Sequence, residues 1–323
     1  MHYSHRNTGS IRGRIEQQII EAAWCYYHDE MNQAQIAKRM GISRSTVVNY
    51  LAEARAREYV HVSLRSSVFL ERELSEQLKR KFGLKDALVV PTAEDDPVAT
   101  LDRLAQATAD WLPALLQPGD RLGVSWGETV FNVSEAAMST TIPDLDIIQL
   151  VGSRATPLGF AAETCSANLA QKLGARCINL HAPLIVQNPE LARLLKEDPL
   201  IAGQLEAIRT CNKTLFAAGS CGPDSHVVRS EVVNLEQLDA YLAKGAQAVV
   251  CGRFIDANGQ AIPGEIDHRM IGIALDDMRG KEMGLLTSCG TDRVLSIRAT
   301  LNGGFATHLA TCAKTAEALI DLA

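Results

Sequence analysis

Apolar and polar positions follow two different patterns along the chain. Through residues 11–28 and 32–50 the apolar residues recur at the spacing of an amphipathic helix. From about residue 84 onwards, short continuous apolar runs alternate with amphipathic stretches of helical length. The pattern therefore predicts a small helical domain over residues 1–65 and a larger domain of strands and helices over residues 66–323.

Residues 32–49, NQAQIAKRMGISRSTVVN, have the pattern of two short helices that cross through a tight turn. Ala37 is small where the helices would touch, Gly41 tolerates the positive φ of the turn, and Ser43 stands where a helix N-cap belongs. The residues spaced to face inward are Ile36, Met40, Ile42, Val47 and Tyr50. This arrangement predicts a helix-turn-helix, with residues 11–28 forming a helix packed behind it.

Polar side chains suited to DNA occupy other positions of the predicted motif. Such donors and acceptors match base edges and phosphates in a major groove. An ordinary helical hairpin with a solvated polar face would carry the same residue types, and solvated surface arginines would look the same as phosphate contacts. The small residue, the turn glycine and the N-cap together favour DNA binding. The candidate contacts are Gln33, Ser43, Arg44, Ser45, Thr46, Asn49 and Arg55.

Beyond the second predicted helix, residues 60–64 alternate apolar and polar side chains, which predicts a short strand and hence a winged variant of the motif. A new amphipathic stretch over residues 68–83 then predicts a helix that ends at Gly83. Later apolar runs are separated by helices of 10–15 residues, so we expect an α/β fold with a Rossmann-like, mostly parallel sheet. The predicted strands fall within residues 84–91, 120–126, 145–152, 176–186, 214–220, 246–256, 269–275 and 283–290, and a final strand and helix fall within residues 305–320.

Ligands of such sheets collect beyond the carboxyl ends of the strands, and two of these ends carry suitable residues. The first is a Ser/Gly/Thr-rich turn that opens a helix, where free N–H groups favour an anionic or hydroxyl-rich ligand, although plain turn chemistry gives the same pattern. It comprises Ser125, Trp126, Gly127, Glu128 and Thr129. The second end, residues 286–293, places Arg293 in a first helical turn, where a cation opposes the helix dipole and so serves a ligand or a buried carboxylate.

Arg253 ends another apolar run and precedes a polar stretch that includes Asp267 and Arg269. The residues themselves are equally consistent with a ligand site and with a structural ion pair.

Charge is distributed unevenly, which changes the expected partner of the small domain. The net charge is −6, but residues 1–60 contain eight Lys and Arg against six Asp and Glu, or +2, which leaves −8 for the remainder. Basic charge therefore lies where phosphate contacts are needed. Because the excess is modest, we expect useful DNA affinity only from an oligomer that presents two or more copies.

Composition excludes several other classes of protein. Of the 323 residues, 46% are hydrophobic and 22% charged, which suits a globular protein with a real core. The sequence has no run of 18 apolar residues, so no membrane span is predicted. It also has no apolar N-terminal segment of the kind found in secretory signals, so we expect a cytoplasmic protein. The eight cysteines form no CxxC pair or Cys/His cluster, so we assign no bridges, metal or cofactor.

Both parts of the chain resemble the SorC family of bacterial transcriptional regulators, also called DeoR-like sugar-binding regulators. Residues 26–64 are similar to the family's DNA-binding signature, with Asn32 where Thr is commoner. The blocks GVSWGETV, CGRFIDANG, HRMIGIAL, SCGTDRVLSI and LNGGFATHLAT follow in the family's order. The resemblance implies an operator-binding winged helix-turn-helix and an effector domain with a fold like that of sugar-phosphate isomerases and deaminases. It also implies assembly into dimers or tetramers, for which we expect a homotetramer.

The resemblance further implies roles for particular residues in binding a sugar, a polyol or a sugar phosphate. Ser125, Gly127 and Thr129 match the loop that holds the phosphate or terminal hydroxyl end of the effector. The polar stretch near the effector is matched by Asp267 and Arg269. A Gly-Gly-x-x-Lys segment that faces the effector is matched by Gly290 and Arg293.

Three departures from the family pattern bear on the effector. Cys289 replaces the first Gly of that segment and Arg293 replaces its Lys, while Cys312 and Ala313 stand where an Asp-Glu pair is common. Glu128 places a carboxylate in the loop where a phosphate would otherwise lie, and like charges oppose each other. These differences favour a neutral sugar or polyol.

The leading hypothesis is therefore a transcriptional regulator of a carbohydrate or polyol catabolic operon, controlled by a small effector. The alternative is an enzyme resembling sugar-phosphate isomerases or deaminases, with the N-terminal domain as an oligomerisation module. Such an enzyme needs a positioned acid/base pair, for which Asp267, His268 and Glu128 are candidates on separate segments. A third possibility is that the larger domain only dimerises and binds no ligand.

Overall fold

The computed structural model describes residues 8–60, 71–94, 96–154 and 160–322. The chain divides into two compact units, residues 1–64 and residues 65–323.

Three helices make up the described part of the first unit: α1 (Thr8–Tyr27), α2 (Gln33–Met40) and α3 (Arg44–Ala56). Ile36, Val47 and Leu51 are buried between them, and Met40, Ile42 and Tyr50 pack at the edge of this core. The inward-facing set predicted from the spacing is therefore confirmed. The predicted wing strand over residues 60–64 lies almost wholly outside the described residues.

Local hydrogen bonds explain why the chain turns between α2 and α3. Gly41 ends α2 with φ of 67°, a conformation that a side chain would strain. The Ser43 hydroxyl then accepts a hydrogen bond from the Thr46 N–H at 3.1 Å, which caps α3 as predicted. At the other end of α2, Asn32 and Gln35 form a reciprocal capping box. Both ends of α2 and the start of α3 are thus set by residues within the motif.

The described part of the second unit contains nine strands. Seven of them form one parallel sheet in the order β1-β9-β8-β5-β2-β3-β4, and β6 and β7 form an antiparallel hairpin. The predicted mostly parallel α/β fold is confirmed. The strands are β1 (Asp86–Val90), β2 (Arg121–Val124), β3 (Asp146–Gln149), β4 (Arg176–Ile178), β5 (Lys213–Phe216), β6 (Ala248–Val250), β7 (Arg253–Ile255), β8 (Met283–Thr287) and β9 (His308–Cys312).

Helices cover both faces of this sheet, because neighbouring residues of each strand point to opposite sides. Leu215 and Leu285 belong to one hydrophobic core, and the adjacent Phe216 and Leu286 belong to another. The helices are α4 (Arg72–Phe82), α5 (Pro97–Trp111), α6 (Glu128–Ala136), α7 (Ala162–Leu173), α8 (Pro189–Glu197), α9 (Pro199–Arg209), α10 (His226–Arg229), α11 (Leu235–Ala243), α12 (Leu275–Met278), α13 (Val294–Asn302) and α14 (Ala313–Asp321).

The direction of the chain changes between β2 and β5, which are neighbours in the sheet. From β2 the chain proceeds outward through β3 and β4, whereas from β5 it proceeds the other way to β8 and β9. A crevice opens at such a switch point because the connections leave on opposite sides.

Two predicted strands differ from the structure. The apolar run 246–256 folds back as the β6–β7 hairpin through Cys251 and Gly252, both at positive φ. The predicted strand over 269–275 makes only isolated antiparallel bridges, Met270 with Ile185 and Gly272 with Val151. Elsewhere, α8 and α9 are separate helices because Pro199 cannot continue α8 and Asp198 instead caps α9.

A buried ion pair joins the starts of β2 and β5. Lys213 Nζ lies 2.6 Å from Asp120 Oδ2, and both side chains are less than a tenth exposed. Burial alone would raise the pKa of the Asp120 carboxyl, but hydrogen bonds from Lys213 and Asn212 hold it below its ordinary value. The pair sits at the end of the sheet opposite to the crevice, and its carboxyl group is ionised at neutral pH.

We expect Asp120→Ala to lower the free energy of unfolding by about 3–5 kcal/mol, because it leaves the Lys213 ammonium buried without its partner carboxylate. Urea denaturation followed by circular dichroism measures the loss. Glu190→Ala is the matched control, since it breaks an exposed pair with Arg193 and should change stability little. Equal losses in the two variants would contradict the assignment of a desolvated pair.

Candidate functional site

The exposed face of α3 carries hydrogen-bonding side chains close together. Arg44, Ser45, Asn49 and Arg55 are exposed, and Thr46 is half-buried. All of these were expected on the DNA-binding surface from the sequence. Their exposure leaves donors and acceptors available to a nucleic acid, as direct readout of bases requires.

Two of the residues expected to contact DNA also make hydrogen bonds that stabilise this surface. Gln33 Oε1 accepts a hydrogen bond from Arg44 Nε at 3.2 Å, so the first turn of α2 orients the guanidinium of α3. The Ser43 hydroxyl caps α3 and lies 2.8 Å from the hydroxyls of Ser45 and Thr46. These contacts place the polar groups of the N-terminal turn of α3 in a fixed arrangement.

In the second unit, a cavity of about 230 Å³ opens where β2 and β5 end. The Ser125 N–H donates to Leu215 O at 3.0 Å, which keeps the two strand ends together. Past this point the strands continue into the loops 125–127 and 217–220, and both loops line the cavity. The cavity therefore occupies the topological switch point of the sheet.

One wall of the cavity is the amino terminus of α6. Gly127 precedes α6 with φ of 105° and carries no capping side chain, so the first N–H groups of the helix have no side-chain acceptor there. Thr129 is buried in the wall, whereas Glu128 is exposed beside it. A helix terminus of this kind binds anions or hydroxyl groups.

The lining of the cavity also includes Ser225 and His226, and each of these residues has a buried polar atom without a partner among the residues described. Ser225 Oγ and His226 Nε2 make no hydrogen bond within the described part of the chain. The His226 ring lies edge-on to Trp126, with the ring centroids 4.4 Å apart. Burial lowers the pKa of the imidazole, and the charges of Arg229 and Arg293 lower it further, so the ring is neutral at pH 7. These two atoms can pair with a ligand hydroxyl.

Charged side chains at the rim are nearly balanced. Arg293 follows β8 in a short 3-10 helix, Thr291–Arg293, and its Nη1 donates to Ala218 O at 3.3 Å across the crevice. The charged residues that line this cavity are three carboxylates and two guanidinium groups: Glu128, Asp224, Asp292, Arg229 and Arg293.

A second cavity of about 390 Å³ adjoins the first and shares Arg293 and Asp292 with it. It extends to the ends of β8 and β9, where Gly290, Cys289 and Cys312 line it. Nine residues were expected at the effector site from the sequence, and seven of them follow β2 or β8. The structure gathers these seven along the two cavities.

The remaining pair, Asp267 and Arg269, is placed differently from our expectation. The Asp267 carboxylate pairs with Arg253 at 3.1 Å and accepts hydrogen bonds from Tyr241 at 2.9 Å and from the Gly264 N–H at 2.8 Å. Arg269 lies 3.4 Å from Glu265 and lines a separate cavity. The structural ion pair left open by the sequence is therefore present, and neither side chain lines the Ser125 cavity as described.

Sequence reasoning missed the strand end at 217–220 and the wall residues Ser225 and His226. The signal was a Gly/Ser turn after an apolar strand, followed by a Ser that precedes a short helix. This is the same pattern that marked Ser125, so it could have identified this wall.

Comparison with known proteins shows the family to which the chain belongs. A family model described as "Putative sugar-binding domain" matches residues 66–321, and a model of sigma-70 region 4 matches residues 14–57. The chain belongs to the SorC family of sugar-binding transcriptional regulators. It is a DNA-binding regulator with a sugar-binding effector domain, and the enzyme alternative is set aside because the family and its named relatives are regulators.

Relatives of this SorC-family regulator match it along nearly the whole chain. The transcriptional regulator YjhU of Escherichia coli is 31% identical over 94% of both chains. The deoxyribonucleoside regulator of Bacillus subtilis is 30% identical over 95% of this chain and 99% of its own. The full-length sorbitol operon regulator SorC of Klebsiella pneumoniae superposes with a TM-score of 0.71 at 25% identity, over 96% of this chain and 100% of that one.

Among the described residues, no helix combines the length and apolarity needed to cross a membrane. All eight cysteines are free thiols.

Proposed function

We propose that this regulator reads operator DNA with the exposed face of α3 and that a small sugar or polyol bound at the β2–β5 crevice controls that reading. The regulated genes would then serve carbohydrate or polyol catabolism. The observation that supports the effector part is the cavity at the switch point, which is lined by the amino terminus of α6 and by Ser225 and His226, each with a buried polar atom that has no partner among the described residues. Its action belongs in the cytoplasm, where bacterial operator DNA lies.

Operator recognition is supported by the composition and exposure of α3. Arg44, Ser45 and Asn49 can reach base edges, with Thr46 beside them. Arg55, toward the end of α3, suits a backbone phosphate. Gln33 and Ser43 support the surface from α2 and from the N-cap.

Arg44→Ala should weaken binding to DNA from upstream of the regulator's own gene by about 1–3 kcal/mol, because the variant removes a guanidinium from the base-reading face. Fluorescence anisotropy with operator and scrambled duplexes measures the loss. Arg209→Ala is the matched control, since Arg209 is an exposed arginine of α9 paired with Glu206. A uniform loss on both duplexes would assign Arg44 to phosphate, and an unchanged affinity would remove it from the interface.

The crevice suits a neutral effector better than a phosphorylated one. Three carboxylates and two guanidinium groups line the cavity, so a phosphate dianion would meet opposing like charges. Ser225 and the neutral His226 offer donors and acceptors to hydroxyl groups. Two relatives are named for deoxyribonucleosides and for the sorbitol operon, which supports a sugar-derived or polyol ligand here as well.

A panel of pentoses, hexoses, alditols and their phosphates should contain a neutral member that raises the melting temperature. At a ligand concentration of about 100 times Kd, binding adds about 2.7 kcal/mol to native-state stability. Ser225→Ala should reduce the shift because it removes a hydroxyl from the cavity wall. Ser166→Ala is the control, since this buried serine of α7 bonds to Ala162 O at 2.9 Å instead. Shifts with phosphates only would overturn the neutral effector, and no shift at all would contradict the site.

We also propose that the regulator acts as a dimer or tetramer, and the homotetramer remains our expectation. The small excess of basic charge on residues 1–60 supports weak binding by one copy, which pairing of half-sites would strengthen. Apolar side chains on the second unit are available for such contacts, since Leu194 of α8 is 51% exposed and Leu200 of α9 is 61% exposed.

A further inference from the structure

Two cysteines lie at the ends of neighbouring strands. Thr287 of β8 pairs with Ala310 of β9, and Cys289 and Cys312 each lie two residues further along, so that Cys312 ends β9 and Cys289 lies just past β8. The two thiols are close enough for each to shift the pKa of the other. Neighbouring strands run about 4.7–4.9 Å apart, and disulfides span Cα separations of about 4.4–6.8 Å. A bond between these two sulfurs therefore needs little movement of the backbone.

The surroundings of Cys312 favour its thiolate. Cys312 directly precedes α14, where the free N–H groups of a helix amino terminus stabilise a negative charge. The neighbouring Cys289 thiol lowers the pKa of Cys312, although burial acts in the opposite direction, and the Thr315 hydroxyl at 3.2 Å lowers it further. Cys312 in turn raises the pKa of Cys289. Cys312 is thus the nucleophile of the pair and Cys289 its protonated neighbour.

A shared cavity distinguishes this pair from the other thiols. Cys289 is half-buried and Cys312 is buried, and both line the cavity of about 390 Å³ at the strand ends, which a small oxidant can enter. Cys165 and Cys211 line neither cavity and Cys251 lines only the first, and burial raises the pKa of each of these three thiols. Oxidation follows thiolate character and exposure, so it should select the Cys289–Cys312 pair.

We propose that Cys289 and Cys312 form a peroxide-sensitive dithiol in the wall of the effector crevice. The Cys312 thiolate attacks one oxygen of hydrogen peroxide, the O–O bond breaks, and hydroxide leaves and takes a proton to become water. The sulfur is then a sulfenic acid. The Cys289 sulfur attacks it, the S–O bond breaks, and a second water leaves with the Cys289 proton. Two thiols are oxidised to one disulfide while one peroxide is reduced to two waters.

The disulfide would alter the loop that carries Arg293. The Thr315 hydroxyl contacts Cys312 Sγ and also accepts a hydrogen bond from the Gly290 N–H at 2.9 Å. Gly290 begins the turn that places Arg293 against Ala218 O across the first cavity. Oxidation of the cysteine pair would therefore alter the loop that carries Arg293 into the effector crevice. This consequence for effector binding rests on the proposed function, whereas the disulfide itself does not.

The chemistry is tested on the full-length reduced protein without any effector. One equivalent of hydrogen peroxide is added, remaining thiols are blocked with N-ethylmaleimide, and tryptic peptides are analysed by mass spectrometry. Trypsin separates Cys289, in residues 282–293, from Cys312, in residues 299–314. We expect these two peptides to be joined, and dithiothreitol to release them. Failure to detect the two peptides joined by a disulfide, or preferential linkage of another pair of cysteines, would overturn the proposal.

Three variants separate the roles of the two sulfurs. In Cys289→Ser the sulfenic acid of Cys312 should persist and react with dimedone, whereas Cys312→Ser should give neither dimedone adduct nor linked peptide. Cys221→Ser, a half-buried thiol outside both cavities, is the matched control and should behave as the wild type. A dimedone adduct on Cys289 in Cys312→Ser, at the wild-type rate of peroxide consumption, would refute the assignment of the nucleophile.

The consequence for the effector is measured separately. With a sugar or alditol that stabilises the reduced protein, peroxide should diminish the thermal shift of the wild type but not that of Cys289→Ser. An unchanged shift in protein that has demonstrably formed the disulfide would overturn the regulatory role alone. Failure of every ligand to stabilise the reduced protein would instead count against the proposed function and leave the peptide mapping as the test of the disulfide.

Discussion

The common direction of seven strands is the constraint on which the effector domain depends. In a parallel sheet every strand delivers its carboxyl end to the same edge, and the helix that follows begins there with unpaired N–H groups. Ser125 and Gly127 follow β2, and residues 217–220 follow β5, so both loops converge although they are some ninety residues apart in sequence. The reversal of chain direction between these strands leaves the space that a ligand can enter.

Partnerless polar atoms inside this space carry a free-energy cost that ligand binding can remove. A buried donor or acceptor without a partner destabilises a fold by about 1–3 kcal/mol. Ser225 Oγ and His226 Nε2 are such atoms in the described structure, and their residues line the cavity together with Gly127 and the first turn of α6. A ligand hydroxyl would satisfy them. The crevice is thus prepared for a polar occupant, and the native state gains stability when one binds.

Features that depend on neighbouring residues were predictable from the sequence. Gly41 and Ser43 predict the turn between α2 and α3, and the apolar runs predict the strands, because both kinds of signal depend only on residues close in sequence. The loop at Ser125 was found for the same reason. His226 was missed because its position opposite Trp126 arises only when β2 and β5 pair. Likewise, the sequence left the role of Asp267 open, since its bond to Arg253 depends on tertiary structure.

In the proposed regulator, α3 is the output of a sensor, so that occupancy of the crevice and operator affinity are linked. A ligand that favours one arrangement of the DNA-binding units must shift their population, and the coupling must be reciprocal. Such a ligand would change the relative populations of these arrangements.

The most direct test measures operator affinity by anisotropy at increasing ligand concentration, and ligand affinity by calorimetry with and without operator. We expect the two affinities to change by the same factor, about 5–150-fold, with the change reduced in Ser225→Ala. A ligand that saturates the crevice and leaves operator affinity unchanged would contradict the account.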